Sequence, residues 1–470
     1  MNKQIQNIYF KLPPFAKDML LSFSLLMQHK VRYGKYYKAY LSVYRKNFEA
    51  SELEIKNYQL MQLKKLLIES SLNCSYYKSL FLENCIDIKF IEEAHSVEII
   101  LQKIPFLPKA FLKTKNAEIQ NTQRASHYKN FTSGTSGSPN LILYDKESLQ
   151  IGFALWQRFH DSIGLSKRFS SVRLSGKILI CPQQIKPPFW VNNIFNNQLF
   201  MSSYHLTETN MNYYVKKLNQ LKPQFIDAYP SSIFVLSQYI NRNNIKLEFI
   251  PIAISTTAET LYSHYQIEIE RAFGCKVYNQ YSSSEGGPFI TECKFGKLHL
   301  NSDSGIFEFY NLANKKANAG EYAEIVITSL RQWKTPLIKY RTGDWVKLSA
   351  QSFTYQKCEC GCSMPIVDEI VGRQEDILFT TEKGYIGRMD PAYKGLNGII
   401  KSKIIQHTLE YVEILNVVDN NYSSEIEQLF IQNIRDRMGN NIIINIKIVN
   451  DISSGANGKF KAVERKFEIL

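Results

Sequence analysis

Apolar positions near the N-terminus recur at three- and four-residue intervals. In EIKNYQLMQLKKLLIESS, Leu60, Leu63, Leu66 and Leu67 share one helical face, and the spacing predicts helices up to about residue 115. Upstream, MLLSFSLLM (Met19 to Met27) is too short to span a bilayer, which takes about 20 residues, and reads as a buried helix. From Tyr128 the pattern changes to short apolar runs separated by helical stretches. The runs KILIC (177–181), FIDAY (225–229), FIPIAI (249–254) and KVYNQY (276–281) read as buried strands, with a helix over SSIFVLSQYI (231–240). Strand–helix alternation argues for an α/β sheet that binds ligands at its strand ends. GIFEFYN, AEIVITSL and LIKYRTGDWVKL then form a β-rich section. Past Gly372 a small unit begins. Its helix, SEIEQLFIQNIRDRMG, places Ile426, Leu429, Phe430 and Ile434 on one stripe and ends at Gly439, and the strand IIINIKIV follows. The expected division is 1–372, helical over 1–115, followed by 373–470.

Composition changes this picture little. The 470 residues are 44% hydrophobic and 21% charged, which is ordinary globular chemistry with chain enough for more than one core. The net charge of +14 is scattered rather than blocked, and no helix-turn-helix or aromatic-basic motif accompanies it. It therefore fits an anionic ligand, an anionic membrane surface or simple solubility equally well, and nothing beside the charge supports nucleic acid. MNKQIQNIYFKLPPF shows no signal-peptide pattern, and the eight cysteines do not form a disulfide framework. A cytoplasmic protein without a transmembrane segment, open to peripheral membrane contact, is expected.

Several stretches carry chemistry. Thr132, Ser133, Gly134, Thr135, Ser136, Gly137 and Ser138 form a neutral loop between two short runs that read as strands. Glycines let backbone N–H groups approach an anion and the hydroxyls add donors, although a plain serine/glycine surface turn has the same composition. No Gly-Lys-Ser/Thr ends it, so it is not a Walker A loop. In YNQYSSSEGG, Glu285 could hold Mg²⁺ against phosphate oxygens, and Tyr281 and Ser284 stand where a nucleotide would lie. A solvated loop acid is the plain alternative for Glu285. Asp344, after the Thr-Gly turn of YRTGD, offers two acceptors that suit ribose hydroxyls, or is a turn aspartate. Arg373, Glu375 and Asp376 open the small unit, and Lys459 follows Gly458 near the C-terminus.

No one of these compels a reading, but their order does. TSGTSGSP, PFW, SSYHL, YPSSI, YSSSE, YRTGD, VGRQED and NGKFKAV together resemble the AMP-forming adenylating superfamily. The closer resemblance is to its phenylacetate–CoA ligase-like branch associated with capsular polysaccharide loci. The resemblance implies a large N-terminal adenylating domain with mixed sheets and a small mobile α+β C-terminal lid. It implies a ligase that activates a small-molecule carboxylic acid with ATP and Mg²⁺, then passes the acyl group to a thiol or amine acceptor, CoA or a sugar precursor. By position, the 132–138 loop would hold the β- and γ-phosphates, Glu285 the Mg²⁺ and Asp344 the ribose, with Arg373 nearby. Lys459 would be the mobile lysine reaching the α-phosphate and the carboxylate. Two positions depart from the family pattern: Asn140 stands where many members have lysine, and Glu375 stands where the hinge is more often aspartate.

A second cluster stands apart. Cys293 and His299, with Cys358, Cys360 and Cys362 in CECGC, supply soft ligands on tight turns, and related ligase-like sequences carry a similar arrangement that looks like structural zinc. Cys293, His299, Cys358 and Cys360 are the favoured ligands, with Cys362 as the alternative. His205 in SSYHL reads as a satisfied core histidine more readily than as a catalytic one.

Overall fold

A computed structural model describes residues 3–131, 140–165, 168–373, 376–386, 389–393, 395–455 and 459–467. The chain divides into two compact units, one built from 1–23, 168–279 and 371–470, the other from 24–167 and 280–370. The architecture is mixed α/β, with helices and several separate sheets.

In the first unit the strands Ser171–Ser175, Gln198–Ser202, Phe225–Ala228 and Ala253–Thr256 and the start of Val277–Ser282 pair in parallel, and Trp190–Asn193 adds an antiparallel edge. Helices Met211–Leu221, Pro230–Arg242 and Ser263–Phe273 pack their apolar faces against this sheet, where Phe234 stacks on Tyr265 with centroids 3.9 Å apart. Two expected strands shift. KILIC is not a strand; SVRLS, just before it, takes the ladder position, and Ile178 is left exposed. Of FIPIAI only the end joins the sheet, because Pro251 has no N–H to donate, and Ile250 and Ile252 face solvent.

Residues 371–470 contain their own apolar cluster, including Leu378, Ile404, Val412, Phe430, Ile434 and Met438. Four strands lie in the order Ile443–Ile448, Tyr411–Val418, Ile399–Thr408, Val463–Arg465. Helix Ser424–Met438 starts on the Ser423 side chain, which accepts from the Ile426 N–H, and ends at Gly439, where φ is +101°. Phe430, Ile434 and Met438 face inward at four-residue spacing. Leu429, expected on that stripe, falls beyond its edge and is exposed.

The second unit holds the helical N-terminal region. Glu52–Asn73 begins with a reciprocal capping box between Ser51 and Glu54 and buries Leu63, Leu66 and Leu67. Helix Lys146–Ser162 carries Arg158, buried and paired with Asp303 at 2.5 Å. Arg124 gathers Glu69, Asp145 and Glu147 within 3.0 Å. Strands Gly305–Tyr310, Tyr322–Ser329 and Tyr340–Lys347 make the antiparallel β-rich section. The end of Val277–Ser282 pairs with Phe289–Glu292, which pairs in turn with Leu298–Leu300.

The apolar run at 19–27 is helical, within Pro14–Arg32, but only half buried. Leu21 and Leu25 turn inward, whereas Leu20, Phe23, Leu26 and Met27 are exposed. A run apolar on every side cannot tell from sequence which face the protein covers.

Candidate functional site

The strands Tyr128–Phe131 and Leu141–Tyr144 pair antiparallel, Phe131 opposite Leu141. Thr132, Ser133, Gly134, Thr135, Ser136, Gly137 and Ser138, which join them, lie outside the described residues, as does Glu375. The arms of this hairpin are tied to the turn that carries Glu285. The Tyr144 hydroxyl and the Asn130 side-chain amide both donate to the Ser284 carbonyl, at 2.9 and 3.0 Å. The turn is tight. Gly286 has φ +80°, and a Cβ there would stand 2.9 Å from the Tyr144 oxygen. Ser329 donates to the Gly286 carbonyl at 2.6 Å and Arg331 Nε to that of Gly287 at 3.2 Å, so the Glu285 backbone is pinned from two sides. Glu285 itself is 4% exposed, which argues against a solvated loop acid.

Asp344 reaches the same strand end. In YRTGD, Thr342, Gly343 and Asp344 stand opposite Ile325 alone, because the register jumps between Glu324 and Val326. The Thr-Gly pair is thus a bulge inside one continuous strand, not a turn between two. The extra residues re-aim the Asp344 side chain. Thr342 Oγ1 locks the bulge by donating to the Ile325 carbonyl at 2.8 Å, and the Asp344 N–H donates to that same hydroxyl at 3.0 Å. The Tyr281 hydroxyl donates to Asp344 Oδ2 at 2.6 Å. Two motifs 63 residues apart in sequence thereby meet at one carboxylate.

Tyr144, Asn130 and Arg331 were missed in the sequence. Burial pushes the Tyr144 phenol up, keeping it protonated as a donor, while burial lowers the Arg331 pKa. The only sequence signal for Arg331 is a cation placed directly after the apolar strand run AEIVITSL.

Arg373 and Lys459 belong to the first unit. Arg373 ends the strand Glu369–Arg373, and its N–H donates to Asp376 Oδ2 at 3.0 Å. Asp376 also pairs with Lys461 at 3.3 Å. Lys459 is half-buried, and its carbonyl accepts from the Gly455 N–H at 2.9 Å. The next residue is fastened by an acid the sequence reading overlooked. Glu259 accepts from the Phe460 N–H at 2.6 Å and from the Ser231 N–H at 3.0 Å, in the first turn of helix Pro230–Arg242. Burial raises the Glu259 pKa, and the two N–H groups and the Lys459 charge work against that rise. Ala258 precedes it at φ +73°, a left-handed conformation rare outside glycine.

His205 is a packed core residue. Nδ1 meets Ser202 Oγ at 2.7 Å, Nε2 meets the Cys181 carbonyl at 3.1 Å, and the ring stacks on Phe189. Burial lowers its pKa.

The cysteine cluster lies wholly in the second unit. The ligand atoms of Cys293, His299, Cys358 and Cys360 all fall within 4.8 Å of one another. Four ligands on one zinc ion stand about 3.5 Å apart, so the set is close to what a single ion needs. His299 Nδ1 meets the Met364 carbonyl at 3.0 Å, which leaves Nε2 for the interior, 3.5 Å from the Cys360 sulfur. Gly296 and Gly361, at φ +76° and +93°, allow the two tight turns. The Cys360 sulfur and burial raise the Cys293 thiol to about 11. Cys362 instead packs among Ala50, Ile55 and Met364. None of the eight cysteines is in a disulfide.

Comparison with known proteins fits this geometry. Residues 378–466 match the family described as the CapK C-terminal domain. Protein CapK of Staphylococcus aureus is 29% identical over 459 residues, spanning 96% of this chain and 97% of its own. The phenylacetate–coenzyme A ligase of Thermus thermophilus is 23% identical over 269 residues, about half of each chain. A 2-hydroxyisobutyryl-CoA ligase, solved in the postadenylation state with its acyl-AMP, superposes with a TM-score of 0.69 at 14% identity, covering 90% of this chain and 92% of that one. The chain is thus a homologue of CapK over nearly all of its length, built on the fold of the AMP-forming CoA ligases.

Proposed function

We propose that the chain is an ATP-dependent ligase that activates a carboxylic acid as its acyl-AMP, then transfers the acyl group to CoA or to an amine of a sugar precursor in surface-polysaccharide synthesis. A carboxylate oxygen bonds to the α-phosphorus, the bond to the bridging oxygen breaks, and pyrophosphate leaves with that electron pair. Two anions must meet, so catalysis is chiefly positioning and charge neutralisation. Asp344 takes the ribose hydroxyls, with Tyr281 and Ser284 beside the nucleotide. Glu285, with Mg²⁺ bound, offsets phosphate charge. The 132–138 loop supplies N–H and hydroxyl donors, which hold phosphates yet release pyrophosphate. Lys459 and Arg373 bring cations from the C-terminal residues 373–470, which act as a lid whose second orientation admits the acceptor. Cys293, His299, Cys358 and Cys360 hold a structural zinc that braces the β-rich section. The observation that carries this reading is the Tyr281–Asp344 hydrogen bond, which joins two motifs at one carboxylate.

Exchange of labelled pyrophosphate into ATP, run with a panel of carboxylic acids, is the test. Exchange with at least one acid is expected. Silence across a broad panel, with nucleotide still bound, favours a non-catalytic nucleotide-binding scaffold on the same fold.

Glu259 serves in this reaction as a positioning residue, holding the segment after Lys459 to the helix that begins at Pro230. Glu259→Gln keeps the shape but removes the negative charge and turns one of the two acceptor oxygens into a donor. Each hydrogen bond to a charged group contributes about 1.5–3 kcal/mol, so the adenylation kcat is expected to fall about 10- to 100-fold. KM for ATP and the melting temperature stay near wild type. A drop in thermal stability without a selective loss of kcat would make Glu259 a structural residue only.

A further inference from the structure

The helix Pro14–Arg32 presents its apolar side outward. Phe15, Phe23 and Met27 are 72%, 53% and 72% exposed and recur at helical spacing, with Leu20 and Leu26 beside them. The opposite side is the buried one, where Lys17, Leu21, Ser22 and Leu25 face the protein. The helix is firmly held. Asp18 accepts from the backbone N–H and side-chain amide of Asn192 at 2.8 and 2.7 Å, and Ser22 Oγ accepts from the Ile194 N–H at 3.0 Å. These bonds fix which side looks out.

Two further segments of the first unit extend the patch. Phe195, itself exposed, meets Phe23 edge-on with centroids 5.9 Å apart, and Ile194 next to it is exposed as well. The segment 181–188 leads into the strand Trp190–Asn193, whose Asn192 holds Asp18, and displays Ile185 at 87% exposure. Monomeric soluble proteins rarely leave contiguous apolar surface of this kind uncovered.

Charge selects the occupant. Residues 1–32 contain five lysines and arginines and one acid, Asp18, whose carboxylate is spent on Asn192. Lys11 and Lys30 are exposed on this segment, and Lys186 is exposed beside Ile185. Two copies meeting through this face would set basic rims against each other. An apolar face rimmed by lysines suits the headgroup–acyl boundary of an anionic bilayer, where rings and aliphatic chains enter and cations meet phosphate. We infer that the part of helix Pro14–Arg32 up to Phe23, with Ile185, Ile194 and Phe195 of the same unit, docks this protein on an anionic membrane surface without spanning it. No helix among the described residues is long and apolar enough to cross. This docking is independent of the proposed chemistry.

The test is cosedimentation of the full chain with vesicles of phosphatidylcholine containing about 30% phosphatidylglycerol, against phosphatidylcholine alone. Wild type is expected to bind the anionic vesicles, and to release in about 1 M salt, where the Debye length is about 3 Å. Phe15→Glu with Phe23→Glu should weaken binding at least about tenfold, since two charges would have to enter the boundary region. Phe195→Ser, on a separate segment, should act in the same direction. Leu82→Glu, an exposed apolar position on the separate helix Ser75–Glu83, should change nothing. Absence of wild-type binding overturns the inference, as does binding untouched by Phe195→Ser. A wild-type dimer in sedimentation velocity that Phe15→Glu/Phe23→Glu dissociates would also overturn it, making the face a self-association surface.

Discussion

Lys459→Ala is expected to reduce pyrophosphate–ATP exchange by about 10²–10³-fold, the effect of removing a preorganised charge aimed at the transition state. The physical reason is the encounter of two anions. A carboxylate approaching the α-phosphate builds negative charge on atoms that already carry it, and the rate depends on a cation arriving as the bond forms. Lys459 directly precedes Phe460, whose N–H is held by Glu259, so its backbone is placed beside the helix that begins at Pro230. ATP affinity, assigned to Asp344 and its neighbours, should change less than about threefold, because ground-state binding does not require the lysine. Transfer from a supplied acyl-AMP to the acceptor should survive, since under the proposed reaction that step does not need the lysine at the α-phosphate. Exchange kinetics and calorimetric ATP binding on the same preparation separate these terms. Full exchange activity in the alanine variant would remove Lys459 from the chemistry.

Purified wild-type protein is expected to carry about one zinc ion per chain, and Cys360→Ser to carry almost none. With the ion gone, the remaining cysteines and His299 would stay crowded in the buried site. Leaving buried polar groups unpaired costs about 3–5 kcal/mol, and one kcal/mol shifts the melting temperature by about 2–4 °C in a unit of this size. A fall of about 10 °C follows, and a strong chelator should reproduce it in wild type. Cys362→Ser, by contrast, should retain the metal and lose only packing against Ala50, Ile55 and Met364. Wild-type protein free of zinc by elemental analysis would leave three reduced thiols and one imidazole packed without an ion.

Much of the architecture could be read along the chain because it is locally encoded. The capping box at Ser51 and the glycine after Met438 bound their helices through neighbours only a few residues away. The tripartite order of helical start, α/β core and β-rich section follows from periodicity, and the ordered motifs led to the superfamily whose fold the chain has. Errors gathered where a choice depended on distant partners. KILIC is more apolar than SVRLS, yet SVRLS holds the ladder position, because pairing with 198–202 and 225–228 is settled across the sheet. The outward face of Pro14–Arg32 depends on Asn192 and Ile194, far along the sequence.

The sequence by itself determined the fold class, the motif set and the chemistry each motif can perform, since residue type and local spacing fix propensities and donor–acceptor inventories. Tertiary structure alone decided that YRTGD is a bulge, that Tyr281 caps Asp344, that Glu259 holds the segment after Lys459, and that Cys360 rather than Cys362 joins the cysteine–histidine cluster. Each of these is a contact between residues remote in the chain, and no local propensity specifies which of several chemically equal partners geometry will bring within about 3 Å.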